Sequence, residues 1–324
     1  MSDEFLDTLN RILRYGQFNN SYKFALMRAL AAYGADHSST GLLISTKWLA
    51  EKFAEFYWSL EVRFHLRQAT VPNKNPVIMR LIKTEAQQLG LPGECTFSQY
   101  INNHEKRAAK LIGTISRETF KDVIPRFHKI RGIETLNAPL FEGLKDNIRL
   151  TEASRYFLER HWRVVELLAI GGWAKFTEQY SSAPRLFEKI EGSAKRKNLS
   201  KYRKYLLTLH DGQCFYCGNN LEQEFHIDHF IPWVFVAEDR LWNLVPTCPT
   251  CNSTKSRSLP KPKLLVAICA RNSGIGAGIN IPPIPRKDMS EWSSKEALEV
   301  HLRSLYSRCE AEGFSIWAPT VTSA

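Results

Sequence analysis

A chain of 324 residues is long enough for about two domains, and 44% hydrophobic with 24% charged residues is a globular composition that can bury a sizeable core, not a disordered or fibrous one. The net charge of +11 and a pI of about 9.3 draw the chain towards polyanions, nucleic acid first, although a merely basic surface would give the same numbers. No apolar run approaches the ~18 residues of a membrane helix, and the opening "MSDEFLDTLN" has no apolar signal-peptide region; the expectation is a cytoplasmic protein with no membrane partner.

Residues 1–191 read as a mainly helical domain. "SYKFALMRALAAYG" places Tyr22, Leu26, Leu30 and Tyr33 on one face, with Gly34 as its stop. Ser45 or Thr46 can cap a helix carrying Leu49, Phe53, Phe56, Tyr57 and Leu60. "PVIMRLIKTEAQQLG" opens on Pro76 and closes on Gly90. "LFEGLKDNIRLT" reads as a short hairpin. Thr151 then caps a helix carrying Phe157, Val164, Val165 and Leu168, expected to end at Gly171-Gly172. There is no internal repeat, low-complexity tract or Gly-rich phosphate loop.

The composition changes near residue 191. "EGSAKRKNLSKYRKYLL" gathers Lys195, Arg196, Lys197, Lys201, Arg203 and Lys204 within ten positions with no acid among them. A solvated linker and a phosphate-contacting arm both fit; the arm is preferred because a metal-binding motif adjoins it. Cys214 and Cys217 form "CFYC", and Cys248 and Cys251 form "CPTC". Two C-x-x-C knuckles thirty residues apart have the spacing of a tetrahedral four-thiolate zinc site, which has no open position and is therefore structural. Disulfides are the competing reading, disfavoured in a reducing cytosol. Cys95, Cys269 and Cys309 show no ligand spacing and read as small buried hydrophobes.

Between the knuckles lies "FHIDHFIPW", an apolar-alternating strand that carries Asp228 and His229 side by side and is ended by Pro232. Asn243 follows in "LWNLV", and Asn252 and Lys255 in "CNSTK". Beyond 257 come a turn-rich "RSLPKPK", a helix around 263–271, a Gly/Pro loop over 273–286 and a last helix starting near Ser293 or Ser294. This tail, 261–324, is too small for a domain and is expected to pack on the rest.

The order and spacing of "CFYC", "HIDHFIP", "WNLVPTC" and "CNSTK" resemble the HNH endonuclease family, the ββα-metal fold in its zinc-stabilised form. The resemblance covers about residues 200–257, and 192–260 would be the nuclease domain with its basic entry segment. It implies an α+β chain: a helical N-terminal domain, a zinc-stabilised ββα-metal domain and a short helical tail. It also implies roles. Asp228 would ligate a hard divalent cation (Mg²⁺ or Mn²⁺), His229 would be the general base, Asn243 would hold the loop between the strands and help orient His229, and Asn252 would be the second ligand. The chemistry agrees with these residue types. A neutral imidazole suits proton removal from water near pH 7, and Mg²⁺ takes one or two protein oxygens. Lys255, Arg257, Lys261 and Lys263 are candidate phosphate contacts. His226 is a candidate DNA contact, a support for the site or a plain structural partner. The implied activity is DNA phosphodiester hydrolysis leaving 5′-phosphate and 3′-hydroxyl ends. The favoured setting, by analogy alone, is bacterial restriction or anti-phage defence, with the helical domain targeting or restraining the nuclease through a protein partner. Two rivals stay open: a non-catalytic zinc-stabilised DNA-binding module, and an effector subunit activated or guided by another complex.

Overall fold

The computed structural model describes residues 2–36, 41–71, 74–130, 134–135, 139–221, 225–274 and 292–319. The chain is α+β, dominated by helices with small sheets. It divides into two compact units, residues 1–181 with 186–193, and residues 182–185 with 194–324. No described helix is long and apolar enough to cross a membrane.

The first unit contains α1 (Ser2–Tyr15), α2 (Tyr22–Ala35), β1 (Leu43–Ser45), α3 (Thr46–Trp58), α4 (Val77–Gln88), α5 (Phe97–Asn103) and α6 (Glu105–Arg126). After them come β2 (Lys129–Ile130), β3 (Glu134–Thr135), β4 (Phe141–Gly143), β5 (Asn147–Leu150), α7 (Glu152–Glu178) and α8 (Leu186–Glu191). The expected hairpin is β4–β5, which β1 extends into a three-stranded antiparallel sheet in the order β1-β5-β4. Nearly every residue of α2 is buried, including Lys23 and Arg28, so this helix is the centre of the unit and not an amphipathic cover. Ser45 and Thr151 cap α3 and α7 by accepting the backbone N–H of Trp48 and Ser154. A π-helical segment, Ser59–Arg63, extends α3 and takes Leu60 and Glu61 into the interior.

Two expected helix stops are not stops. α2 runs through Gly34 to Ala35, and α7 runs through Gly171-Gly172 to Glu178. Both Gly34 and Gly172 sit where α2 and α7 come together. A Cβ on Gly34 would lie 2.5 Å from the Leu158 carbonyl oxygen, and one on Gly172 2.8 Å from the Phe24 ring. These glycines serve close helix approach; they do not terminate helices. The expected apolar face of α7 is also only half right. Phe157 and Val165 are buried, but Val164 and Leu168 are exposed, and the core face continues through Ala169, Ile170, Trp173 and Phe176. Non-helical torsions at His161 shift the face partway along the helix.

The second unit begins with a 3₁₀ turn (Ser200–Tyr202) and α9 (Arg203–Leu209), followed by β6 (His226–His229), α10 (Trp233–Val236), a 3₁₀ turn (Leu241–Asn243), β7 (Leu244–Thr247) and α11 (Pro249–Lys255). It ends with β8 (Leu259–Pro260), α12 (Pro262–Gly274), α13 (Lys295–Ala311) and β9 (Ile316–Trp317). β6 and β7 pair antiparallel in the register Ile227↔Pro246 and Asp228↔Val245, while β8 and β9 pair parallel. Tyr202, Tyr205 and Leu206 pack with Leu241 and Leu244 under the hairpin. α12 packs on α13, and the Tyr306 hydroxyl donates to the Pro260 carbonyl at 2.5 Å. Ser294 caps α13 through the Ala297 N–H. The Gly/Pro loop read over 273–286 lies outside the described residues from 275 onward. Cys269 and Cys309 are buried; Cys95 is half-buried.

Candidate active site and metal centre

The two knuckles converge. The sulfurs of Cys214, Cys217, Cys248 and Cys251 all lie within 4.8 Å of one another, and Cys217 and Cys248 Sγ are 3.9 Å apart. A disulfide needs about 2.05 Å, whereas a Zn–S bond of about 2.3 Å puts sulfurs about 3.8 Å apart around a tetrahedron. None of the four is in a disulfide. The Cys248 N–H points at Cys214 Sγ (3.4 Å) and the Cys251 N–H at Cys248 Sγ (3.5 Å). Burial would push the Cys214 thiol up, but backbone N–H groups of the two knuckles outweigh it and bring it down to about 7. Burial pushes Cys251 up instead, with the charge of Cys214 adding to it. Such a crowd of sulfurs fits a thiophilic cation that ionises them, and a closed four-thiolate set is of the kind that takes a structural zinc.

The hairpin carries the other constellation. Asp228 Oδ2 accepts hydrogen bonds from the Tyr216 hydroxyl (2.7 Å) and from Lys255 Nζ (2.8 Å). Tyr216 belongs to the first knuckle, so one loop supplies both a zinc-type pair and a clamp on Asp228. Burial, then the neighbouring carboxylate, holds the Tyr216 phenol well above its usual range, so it stays a donor. Among the described residues Asp228 Oδ1 has no hydrogen-bond partner, and neither does the half-buried side-chain amide of Asn252 on α11, which packs on β6. A carboxylate oxygen and an amide oxygen are hard donors of the kind Mg²⁺ or Mn²⁺ takes, so these two residues fit such an ion.

His229 is buried, and its Nε2 lies 2.8 Å from Asp239 Oδ1. Burial raises the Asp239 carboxyl, but the hydrogen bonds from His229 and from the Lys197 N–H outweigh it and leave its pKa below the usual carboxylate range. Asn243 is fully buried, and both ends of its amide are taken. Its Oδ1 accepts the Ile231 N–H (2.8 Å) and its Nδ2 donates to the Ile231 carbonyl (2.9 Å), while its own carbonyl accepts the Phe230 N–H (2.7 Å). This clamp closes the loop after β6 at its base, as expected of a residue that holds the loop between the strands. From the tail, half-buried Arg271 on α12 donates to the carbonyls of Leu241, Trp242 and Leu244 and so braces the segment around Asn243.

One expected phosphate contact is corrected. Lys255 is fully buried, and its ammonium is spent on Asp228 and on the His229 carbonyl (2.9 Å). It is a strut under the site, because α11 turns this face towards β6. Half-buried Arg203 lies over the Phe225 ring, 3.9 Å from its centroid, and donates to the Phe225 carbonyl. Lys195, Arg196, Lys197, Lys201, Lys204, Lys263 and His226 are exposed, and Arg257 and Lys261 half-buried. Asp239 was not legible in the sequence, since nothing in "AEDRLWN" marks which acid reaches His229.

The hairpin, α11 and four clustered sulfurs thus enclose an Asp-His pair. Residues 214–258 match the HNH endonuclease family model. The HNH segment spans both knuckles, β6, β7 and α11, and supports a metal-dependent, nuclease-type function for this unit. No curated protein and no solved structure matches the chain.

Proposed function

We propose that the protein is a DNA endonuclease whose HNH unit hydrolyses phosphodiester bonds, with a structural zinc on Cys214, Cys217, Cys248 and Cys251 and a Mg²⁺ or Mn²⁺ on Asp228 and Asn252. The observation that carries this reading is the arrangement on β6: a carboxylate pinned on one oxygen only, next to an imidazole held by a second carboxylate. A DNA-binding module needs neither. The cation supplies Lewis-acid stabilisation of charge on the phosphate and leaving oxygen. Tyr216 and Lys255 hold Asp228 so that Oδ1 remains available. His229 removes the proton from the attacking water. The exposed cations at 195–197, 201 and 204 bind backbone phosphates, consistent with the net charge of +11. Exposed Tyr156, Val164 and Leu167 on α7 are the observation that favours a protein partner for the helical unit; bacterial defence remains the favoured setting.

The test is a nicking time course on plasmid DNA across a Mg²⁺ and Mn²⁺ titration. His229→Ala is expected to lose about 10²- to 10⁴-fold in rate at unchanged DNA affinity, with no rescue by excess metal. Asp228→Ala and Asn252→Ala are expected to lose activity with partial rescue by metal. A folded His229→Ala that cuts at the wild-type rate would replace this reading with the non-catalytic module.

A further inference from the structure

Asp239 uses both carboxylate oxygens. Oδ1 faces His229 Nε2 at 2.8 Å, and Oδ2 accepts the Lys197 backbone N–H at 2.7 Å. The His229 and Asp239 side chains are only 8% and 3% exposed, so their contact is shielded from water. An ionised carboxylate has no proton to give. Nε2 must therefore carry the hydrogen of this contact. In a neutral ring the lone pair then lies on Nδ1, which has no hydrogen-bond partner among the described residues. One acid thereby selects both the tautomer and the direction in which the basic nitrogen faces. The same acid fastens the basic segment beside the site. The Lys197 amide sits on Oδ2, and the Arg196 guanidinium lies 5.4 Å from the centre of the ring of Trp233, the first residue of α10.

We infer that Asp239 is the positioning residue for His229: it fixes the Nε2–H tautomer so that Nδ1 is the proton acceptor, and it anchors the Lys197 end of the basic segment next to that acceptor. The inference rests on His229 being the base. It adds to that reading which ring nitrogen acts, what holds it, and why the phosphate-binding segment and the reacting water meet at one place.

Asp239→Asn separates the two jobs of the carboxylate. The amide oxygen can keep the Lys197 N–H, while the amide NH₂ turned towards Nε2 can only donate. The imidazole proton then moves to Nδ1, and the lone pair faces away from the water. The experiment reads three things on the full-length, metal-loaded protein: single-turnover cleavage of plasmid DNA, DNA affinity without turnover, and the ¹⁵N signature of the His229 ring. The expected result for Asp239→Asn is a rate lower by 10²-fold or more, DNA affinity within about twofold of wild type, and the ring proton moved from Nε2 to Nδ1. Wild-type protein read in the same way needs no variant to fold, and its ring proton on Nδ1 would overturn the inference. So would Asp239→Asn cutting at the wild-type rate, or slowing only in step with lost DNA affinity. His229→Ala run alongside keeps the two readings apart. If it is inactive while Asp239→Asn cuts normally, the base stands and the positioning role falls. If His229→Ala itself cuts normally, the base reading has failed and this inference falls with it.

Discussion

Replacing Lys255 by methionine distinguishes a strut from a phosphate contact. The ammonium is fully buried and donates to Asp228 Oδ2 and to the His229 carbonyl. Removing one partner of a buried ion pair costs about 3–5 kcal/mol because the other charge is left unpaired. Asp228 keeps 13% exposure and the Tyr216 hydroxyl, which places the loss at the lower end, about 3 kcal/mol. The unpaired His229 carbonyl adds about 1 kcal/mol, and the methionine stem retains the apolar contacts of the lysine stem. The expected net loss of about 3–4 kcal/mol is a large fraction of the stability of an ordinary domain. Urea unfolding followed through the fluorescence of buried Trp233 and Trp242 measures it. Lys255→Met combined with Asp228→Asn is expected to recover a good part, since no charge is then stranded. The salt dependence of DNA binding, measured well below the unfolding midpoint, is expected to keep its slope. Wild-type stability with a slope shallower by about one would show that Lys255 reaches a phosphate and that the buried pair is wrong.

Elemental analysis is expected to find one zinc per chain, as about four thiolates per ion require. Cys214→Ser or Cys251→Ser is expected to lose both metal and fold; a zinc-free protein with full structure and activity would refute the assignment. Charge reversal at exposed Lys195, Lys201 and Lys204 is expected to weaken DNA binding and flatten its salt dependence by about 0.9 for each phosphate no longer neutralised, with unchanged affinity marking these residues as a mere linker. Burial raises the Glu61 carboxyl to about 7, so its folded pKa lies above the unfolded one. The stability it contributes is full below the unfolded pKa and is lost as pH rises through 7. Glu61→Gln is therefore expected to be more stable than wild type at pH 8, by at most about 3 kcal/mol, and nearly neutral at pH 4, in urea melts at both pH values; a gain that does not change with pH would contradict the burial argument.

The HNH segment was readable because its chemistry demands particular residue types at set spacings, and spacing survives in one dimension. Capping residues were readable for the same local reason: Ser45, Thr151 and Ser294 each bond a backbone N–H three residues on. What failed to show was tertiary. Gly34 and Gly172 carry the composition of helix stops, but their absent side chains matter to another helix. Lys255 sits in a basic run and looks solvated until α11 is laid on β6. Asp239 and Arg271 reach the site from a loop and from the tail, and no periodicity links them to His229 or Asn243.

The part of this unit that evolution repeats and the part that can fold are different lengths. The family match stops at residue 258, yet Arg271 saturates three carbonyls around Asn243 from beyond it, and Tyr202, Tyr205 and Leu206 fill the underside of the hairpin from before it. A fragment cut at the match boundaries would bare those carbonyls and open the small core to water, even with zinc in place. Transplanting the chemistry into another chain would thus mean carrying over α9 and α12 along with the motif, or supplying new groups to do what they do.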